Sequence, residues 1–281
     1  MTDCRTNTCG SLGKEEQMIH ANFTYDGISC DEYGVIIAQF NGIENGKTGI
    51  SQETGLSSVQ AARGDEFHII SQKYTSPLTF EIQLFRTDFK DITQQHERAL
   101  KKWLMQKGKY KWFTILDERY EGIWFKANIH SPDNIRINDV AAISFQVTCN
   151  ASYAYSDLIE QKFTFTDNIR TVSFYVDNDE NSVLYPDMEI TMLTDGDLEI
   201  RNSADENKSS FQITGLKSGE HILVRAEIPV IKSSEDTAQY NVYNRFSKYW
   251  FFIADGQNTI SVSNNCSLIL RYREKRRVGA Q

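Results

Sequence analysis

Leu78-Thr79-Phe80-Glu81-Ile82-Gln83-Leu84 alternates apolar and polar side chains without a break. Successive side chains of a strand point to opposite faces, so Leu78, Phe80, Ile82 and Leu84 share one face and must bury it together. The same period of two recurs along most of the chain. In the first half it predicts strands over residues 19–26, 33–40, 66–73, 111–116, 120–129 and 142–148. In the second it predicts them over 163–166, 171–176, 188–193, 198–202, 209–214, 222–226, 249–253, 259–263 and 268–272. Turn signals such as Asp195-Gly196 and the stretch 215–219 separate these short strands, a pattern that builds an antiparallel sandwich.

One segment keeps a different period. Ile92, Ala99, Leu100, Trp103 and Leu104 recur at helical spacing, Asp91 or Thr93 can cap the start and Gly108 the end. The spacing predicts one helix over 93–107. Burying Leu100, Trp103 and Leu104 contributes about 1.5–3 kcal/mol each by transfer alone, so the helix packs on the sheet. Periodicity lapses over 150–161, which marks a domain boundary, and a chain of 281 residues has room for two cores. The fold class is therefore mainly β: an N-terminal β-sandwich with one α-helix over 18–155 and a C-terminal antiparallel β-sandwich over 156–281. Residues 1–17 are polar and aperiodic and read as a leader. Residues 41–64 are rich in Gly, Ser, Asn and Gln, offer no apolar stripe, and read as a long polar loop.

Charge and cysteine content narrow the function classes. Thirty Lys and Arg against 38 Asp and Glu leave a net charge of −8, which opposes general attraction to nucleic acid or anionic lipid. A basic strip, Arg271, Arg273, Lys275, Arg276 and Arg277, reads as a solvated C-terminal tail. The five scattered cysteines, Cys4, Cys9, Cys30, Cys149 and Cys266, fit free thiols in a reducing compartment, with Cys149 and Cys266 placed as small buried side chains. No apolar stretch has the length of a membrane span.

No catalytic, cofactor or metal site assembles from the motifs. Asn45-Gly46-Lys47-Thr48 lacks the leading glycine and the following helix of a phosphate loop. Asp177-Asn178-Asp179-Glu180-Asn181 opens like a calcium loop, but Ser182 stands where glycine belongs and Met188 where glutamate belongs. Asp195 and Asp197 flank Gly196 as a hairpin turn would. His20, His68, His96, His130 and His221 are far apart, and Trp103, Trp112, Trp124 and Trp250 each fall in a strand or helix pattern that favours core packing. The chain reads as a binding protein rather than an enzyme.

In the order of its elements, the chain resembles the distal tail protein (tail hub) family of long-tailed bacteriophages, the siphophages. In the first half the resemblance rests on Phe23-Thr24-Tyr25-Asp26-Gly27, on Tyr33-Gly34-Val35, on the polar loop and the strand 80–84, and on the helix ending Lys102-Trp103-Leu104. In the second it rests on Tyr185-Pro186-Asp187-Met188-Glu189-Ile190, Ile213-Thr214-Gly215-Leu216, and Trp250-Phe251 leading to Gly256-Gln257-Asn258-Thr259-Ile260. The resemblance implies a structural virion protein with no cofactor: a homo-oligomer, a hexameric ring at the tail tip, closed by the N-terminal domains. It implies a galectin-like C-terminal domain, a tail tube protein on one face, a tail-associated fibre or spike protein on the other, and assembly in the bacterial host cytoplasm. The rival reading is a carbohydrate-binding β-sandwich protein, which predicts an exposed Trp or Tyr beside polar groups in the second domain.

Overall fold

The computed structural model describes residues 21–42, 54–60, 64–137 and 139–278. In chain order the first half holds β1 (Asn22–Tyr25), β2 (Ile28–Ser29), β3 (Val35–Gly42), β4 (Thr54–Gln60), β5 (Phe67–Tyr74), β6 (Thr79–Arg86), α1 (Gln94–Leu104), β7 (Lys111–Leu116), β8 (Phe125–Ile137) and β9 (Val140–Cys149). Seven of these strands form one antiparallel sheet, in the order β2-β1-β7-β8-β9-β6-β3. The two-residue turn Asp26-Gly27, both with positive φ (54° and 76°), joins β1 to β2, the backbone pairing that tight hairpins require. The sheet curls until its ends meet, where Ala21 and Ile37 exchange backbone hydrogen bonds of 3.3 and 3.0 Å. Inside lie Phe23, Phe80, Ile82, Phe113, Phe125 and Phe145, all buried, so the alternation of 78–84 does set the core face.

Helix α1 closes this core. Thr93 caps it by accepting from His96 N, and Leu100, Trp103 and Leu104 are buried as the spacing requires. Trp103 stacks on Tyr33 with ring centroids 4.3 Å apart, and its indole N–H donates to the Tyr25 carbonyl at 3.3 Å. The helix stops at Leu104 rather than 107. The Gln106 backbone N–H turns to the Leu104 carbonyl at 3.0 Å and its side-chain amide takes the Trp103 carbonyl at 3.4 Å, the acceptor that a helical Lys107 N–H would need.

The second half holds β10 (Ala154–Tyr155), β11 (Ile159–Phe165), β12 (Thr171–Val176), β13 (Asp187–Met192), β14 (Gly196–Asn202), β15 (Phe211–Leu216), β16 (His221–Arg225), β17 (Val230–Ser233), α2 (Val242–Arg245), β18 (Gly256–Val262), β19 (Cys266–Tyr272) and β20 (Lys275–Arg276). A five-stranded sheet, β11-β19-β13-β16-β17, faces a four-stranded one, β12-β18-β14-β15. Their inner faces enclose a second, separate cluster that includes Phe165, Ile190, Ile200, Phe211, Ile260 and Leu268.

Three expectations are corrected here. Residues 249–253 alternate in burial yet form no strand, because side-chain amides satisfy the backbone in place of a ladder: Asn202 donates to the Phe252 carbonyl and Asn258 to that of Ala254. Only Ile253 pairs, with Leu184. The polar stretch 41–64 is not all loop, since β3 runs to Gly42 and β4 occupies 54–60; residues 43–53 and 61–63, with the Asn45–Thr48 motif, lie outside the described residues. The aperiodic boundary itself contains the short strand β10.

Cys30, Cys149 and Cys266 are free and buried, while Cys4 and Cys9 lie outside the described residues. Burial pushes the Cys149 and Cys266 thiols up to about 12, and burial followed by the Asp26 charge raises Tyr25 to about 12. These groups keep their protons in the folded chain and lose them at lower pH when unfolded. Their stabilisation is full below the ordinary thiol pKa and falls as pH rises from about 9 to 12, at up to about 1.4 kcal/mol per pH unit for each group. Denaturant unfolding measured across that interval should show a monotonic loss. Trp103→Ala should destabilise the N-terminal half by about 3–5 kcal/mol, read from the same denaturation curves.

Candidate interaction site

Among the described residues, strands β4 and β5 pair only with each other, as a ribbon that joins none of the three large sheets. The register runs from Thr54 opposite Tyr74 to Gln60 opposite Phe67, with a bulge near Ile70. Leu56, Phe67 and Ile69 share one face and Val59 lies on the other. Leu56, Val59, Phe67, Ile69 and Ile70 are each 51–68% exposed. A two-stranded ribbon is marginal on its own in water, and clustered exposed apolar groups of this kind mark an interaction surface. The sequence hid β4 because Gly, Ser and Gln break its alternation. The signal that could have found it is the strand pattern of 66–73, which needs a partner within reach of a turn.

The basic strip is not a solvated tail. It forms β19, β20 and the segment between them, at the junction of the two halves. Strand β20 pairs with β10, and Tyr155 of β10 exchanges 2.8 Å backbone hydrogen bonds with Trp124 beside β8. The Arg273 guanidinium lies 4.4 Å from the Trp112 ring and 5.0 Å from that of Trp124, and donates to the Ser156 carbonyl at 2.6 Å. Burial lowers the pKa of Arg273, and likewise that of Lys275, whose ammonium sits 5.1 Å from the Tyr153 ring. Arg271 bridges Glu160 (2.5 Å) and Glu189 (2.6 Å) across the outer face of the five-stranded sheet. Lys126 of β8 pairs with Glu227 of the other half.

The remaining cations of the strip occupy the calcium-loop look-alike. Arg276 donates to the Asp177 carbonyl at 2.5 Å and pairs with Asp177, Asp179 and Glu274. Arg277 pairs with Glu180 at 3.1 Å, and its backbone N–H donates to Asp179. Asn178 is buried, and its side-chain Oδ1 accepts from Lys275 N at 2.8 Å. The carboxylates are thus turned toward guanidinium groups of the same chain. No cluster of three His, Cys, Asp or Glu with metal-binding geometry occurs among the described residues.

Other candidates resolve into local structure. Asp195 and Asp197 lie not in a hairpin but where the chain crosses from β13 of one sheet to β14 of the other, and they accept from Ser218 N and Gly215 N. Glu220 is buried; desolvation opposes its ionisation, but donors from Ser233, the Lys217 backbone, Tyr240 and Arg245 hold its carboxyl below the usual range. His96 sits at the α1 cap, His130 bonds Ser131 and Thr148, His221 bonds Thr191, and His68 is on the ribbon, so the structure does not bring them together; His20 lies outside the described residues. Trp103 is core, Trp112 and Trp124 are half-buried at the junction, and Trp250 packs on Phe246. Tyr185, Phe252 and Tyr249 form an aromatic cluster whose polar neighbour, Asp205, is spent on the Asn207 and Ser209 backbone and the Tyr249 hydroxyl. No helix among the described residues is long and apolar enough to cross a membrane.

Residues 18–151 match a family described as phage tail protein N-terminal domain, and residues 153–272 match its C-terminal counterpart. No curated protein matches the chain. Among solved structures, the fold is similar to that of the Dit (gp 19.1) protein of SPP1, described as a paradigm of hub adsorption apparatus in phages infecting Gram-positive hosts. The TM-score is 0.63 at 10% identity, over 90% of this chain and 98% of that one. A chain of the phage P2 baseplate in its activated conformation with calcium is similar with a TM-score of 0.55, also at 10% identity, over 90% of this chain and 98% of its own.

Because Asp177, Asp179 and Glu180 already face Arg276 and Arg277, millimolar calcium should leave the thermal unfolding midpoint unchanged; a calcium-dependent rise would mean that the cation displaces the guanidinium groups.

Proposed function

The chain belongs to a family of phage tail proteins, and from that premise we propose that it is the distal tail hub, a structural ring that joins the tail tube to the tail-tip adsorption apparatus. The observation that carries the reading is that family matches and the hub-like fold run together over nearly the whole chain. The two proposed domains, 18–155 and 156–281, divide the work. The first closes a ring of six copies and meets the tail tube and the fibre or spike protein, while the second, galectin-like domain projects outward. Such a ring follows from head-to-tail contacts that close on themselves. The protein performs no reaction; its part is to hold components of different symmetry in register around the passage for DNA.

The β4–β5 ribbon supports this reading physically. It extends from the N-terminal half with apolar side chains on both faces, a surface that needs a neighbouring subunit to cover it. A permanent contact of that kind buries about 2,000 Å² or more, against less than about 800 Å² for incidental ones.

Replacing Phe67 and Ile69 together by Ser removes exposed apolar surface and should cost the fold less than about 0.5 kcal/mol per site. The same change should shift rings to single subunits in native mass spectrometry and abolish capping of tail tubes in electron micrographs. Rings and capped tubes formed as well as by the parent protein would remove the ribbon from the interface. A parent that neither forms rings alone nor caps tubes would overturn the hub reading.

A further inference from the structure

We propose that Glu180 is the joint through which the C-terminal half holds the β4–β5 ribbon, so that the closing strand β20 and the ribbon are set as one unit. The ribbon emerges from the N-terminal half, yet the large sheet supplies it with no ladder among the described residues. At its root, Tyr74 pairs with Thr54 and its hydroxyl donates to Glu180 Oε1. The same oxygen accepts from Arg277 Nε at 3.1 Å, in a side chain only 12% exposed. The Glu180 backbone carbonyl accepts from the Asn178 side-chain Nδ2, and the Asn178 side-chain Oδ1 accepts from Lys275 N of β20 at 2.8 Å. Hydrogen bonds therefore run without a gap from the ribbon's first pair, through Glu180, to the strand that closes the domain junction. Burial and then the Glu180 bond raise the pKa of Tyr74, consistent with a donor held to a carboxylate.

The position of this joint gives it leverage. At ~3.3 Å per residue, the ribbon reaches ~20 Å from Thr54 to Gln60, so a small rotation about Tyr74 displaces its outer end by several ångströms. Through the Tyr74–Glu180 contact, the half of the molecule from which the ribbon does not arise takes part in setting its direction. This coupling is intramolecular and stands apart from the hub reading.

Hydrogen–deuterium exchange on the full-length chain tests it. The Phe67→Ser/Ile69→Ser background removes assembly as a source of protection, so a failure of the ring and a failure of the joint are distinguishable. Tyr74→Phe deletes one hydroxyl, and Glu180→Ala deletes the acceptor. Each should speed exchange of the β4–β5 amides severalfold, Glu180→Ala should also speed that of β20, and the double variant should exceed the larger single effect by nothing further. Unchanged β4–β5 exchange in Tyr74→Phe would overturn the proposal, as would additive effects in the double variant. Should Glu180→Ala fail to fold, Glu180→Gln, which keeps an acceptor but loses the charge on Arg277, takes its place beside Tyr74→Phe.

Discussion

Arg273 lies with its guanidinium against the rings of Trp112 and Trp124, and the relation between the two halves of the molecule depends on that contact. A half-buried cation is costly unless its surroundings return what water gave it. Two aromatic faces and the Ser156 carbonyl do so here, and they come from β7, the start of β8 and the linker. The end of the chain therefore folds back on its middle. Strand β20 adds backbone pairing to β10, which in turn pairs with Trp124, so the second half is attached through hydrogen bonds as well as through charge.

The same return of the chain places guanidinium groups against the acidic turn at 177–181. A calcium loop converges its oxygens on one hard cation. Here the oxygens are distributed over the planar forks of Arg276 and Arg277, whose geometry suits several carboxylates and carbonyls at once. What reads as two unrelated features, a basic terminus and an acidic turn, is one ion-paired junction.

Against these satisfied elements the β4–β5 ribbon stands out by what it leaves uncovered. The three large sheets bury their apolar faces, and the seven-stranded one closes through Ala21 and Ile37. The ribbon keeps Phe67, Ile69 and Ile70 in solvent. A tail protein has to trade surface with neighbours, and the ribbon gathers five exposed apolar side chains, Leu56, Val59, Phe67, Ile69 and Ile70, on one two-stranded element. Its anchorage at Tyr74 to the far half makes the exposed part of the molecule answer to the junction.

Period-two alternation determined the mainly β fold, and with it the burial of Phe80, Ile82 and Leu84, because a strand's faces follow from residue parity alone. Helical spacing likewise determined that Leu100, Trp103 and Leu104 face a core, and burial of Cys149 and Cys266 followed from their apolar strands. The order of motifs also carried the tail-family resemblance. Tertiary structure decided the rest. Whether 249–253 forms a strand rested on Asn202, a distant amide that took the Phe252 carbonyl, and on Asn258, which holds the backbone of Ala254 just beyond. Whether β4 exists rested on β5 as a partner, since its own composition carries no signal. The destination of the basic strip rested on Trp112, Trp124 and the acidic turn, each far from it in sequence. Local patterns report what a residue can bury against its neighbours in the chain, whereas a charge or an edge finds its partner only once distant segments have met.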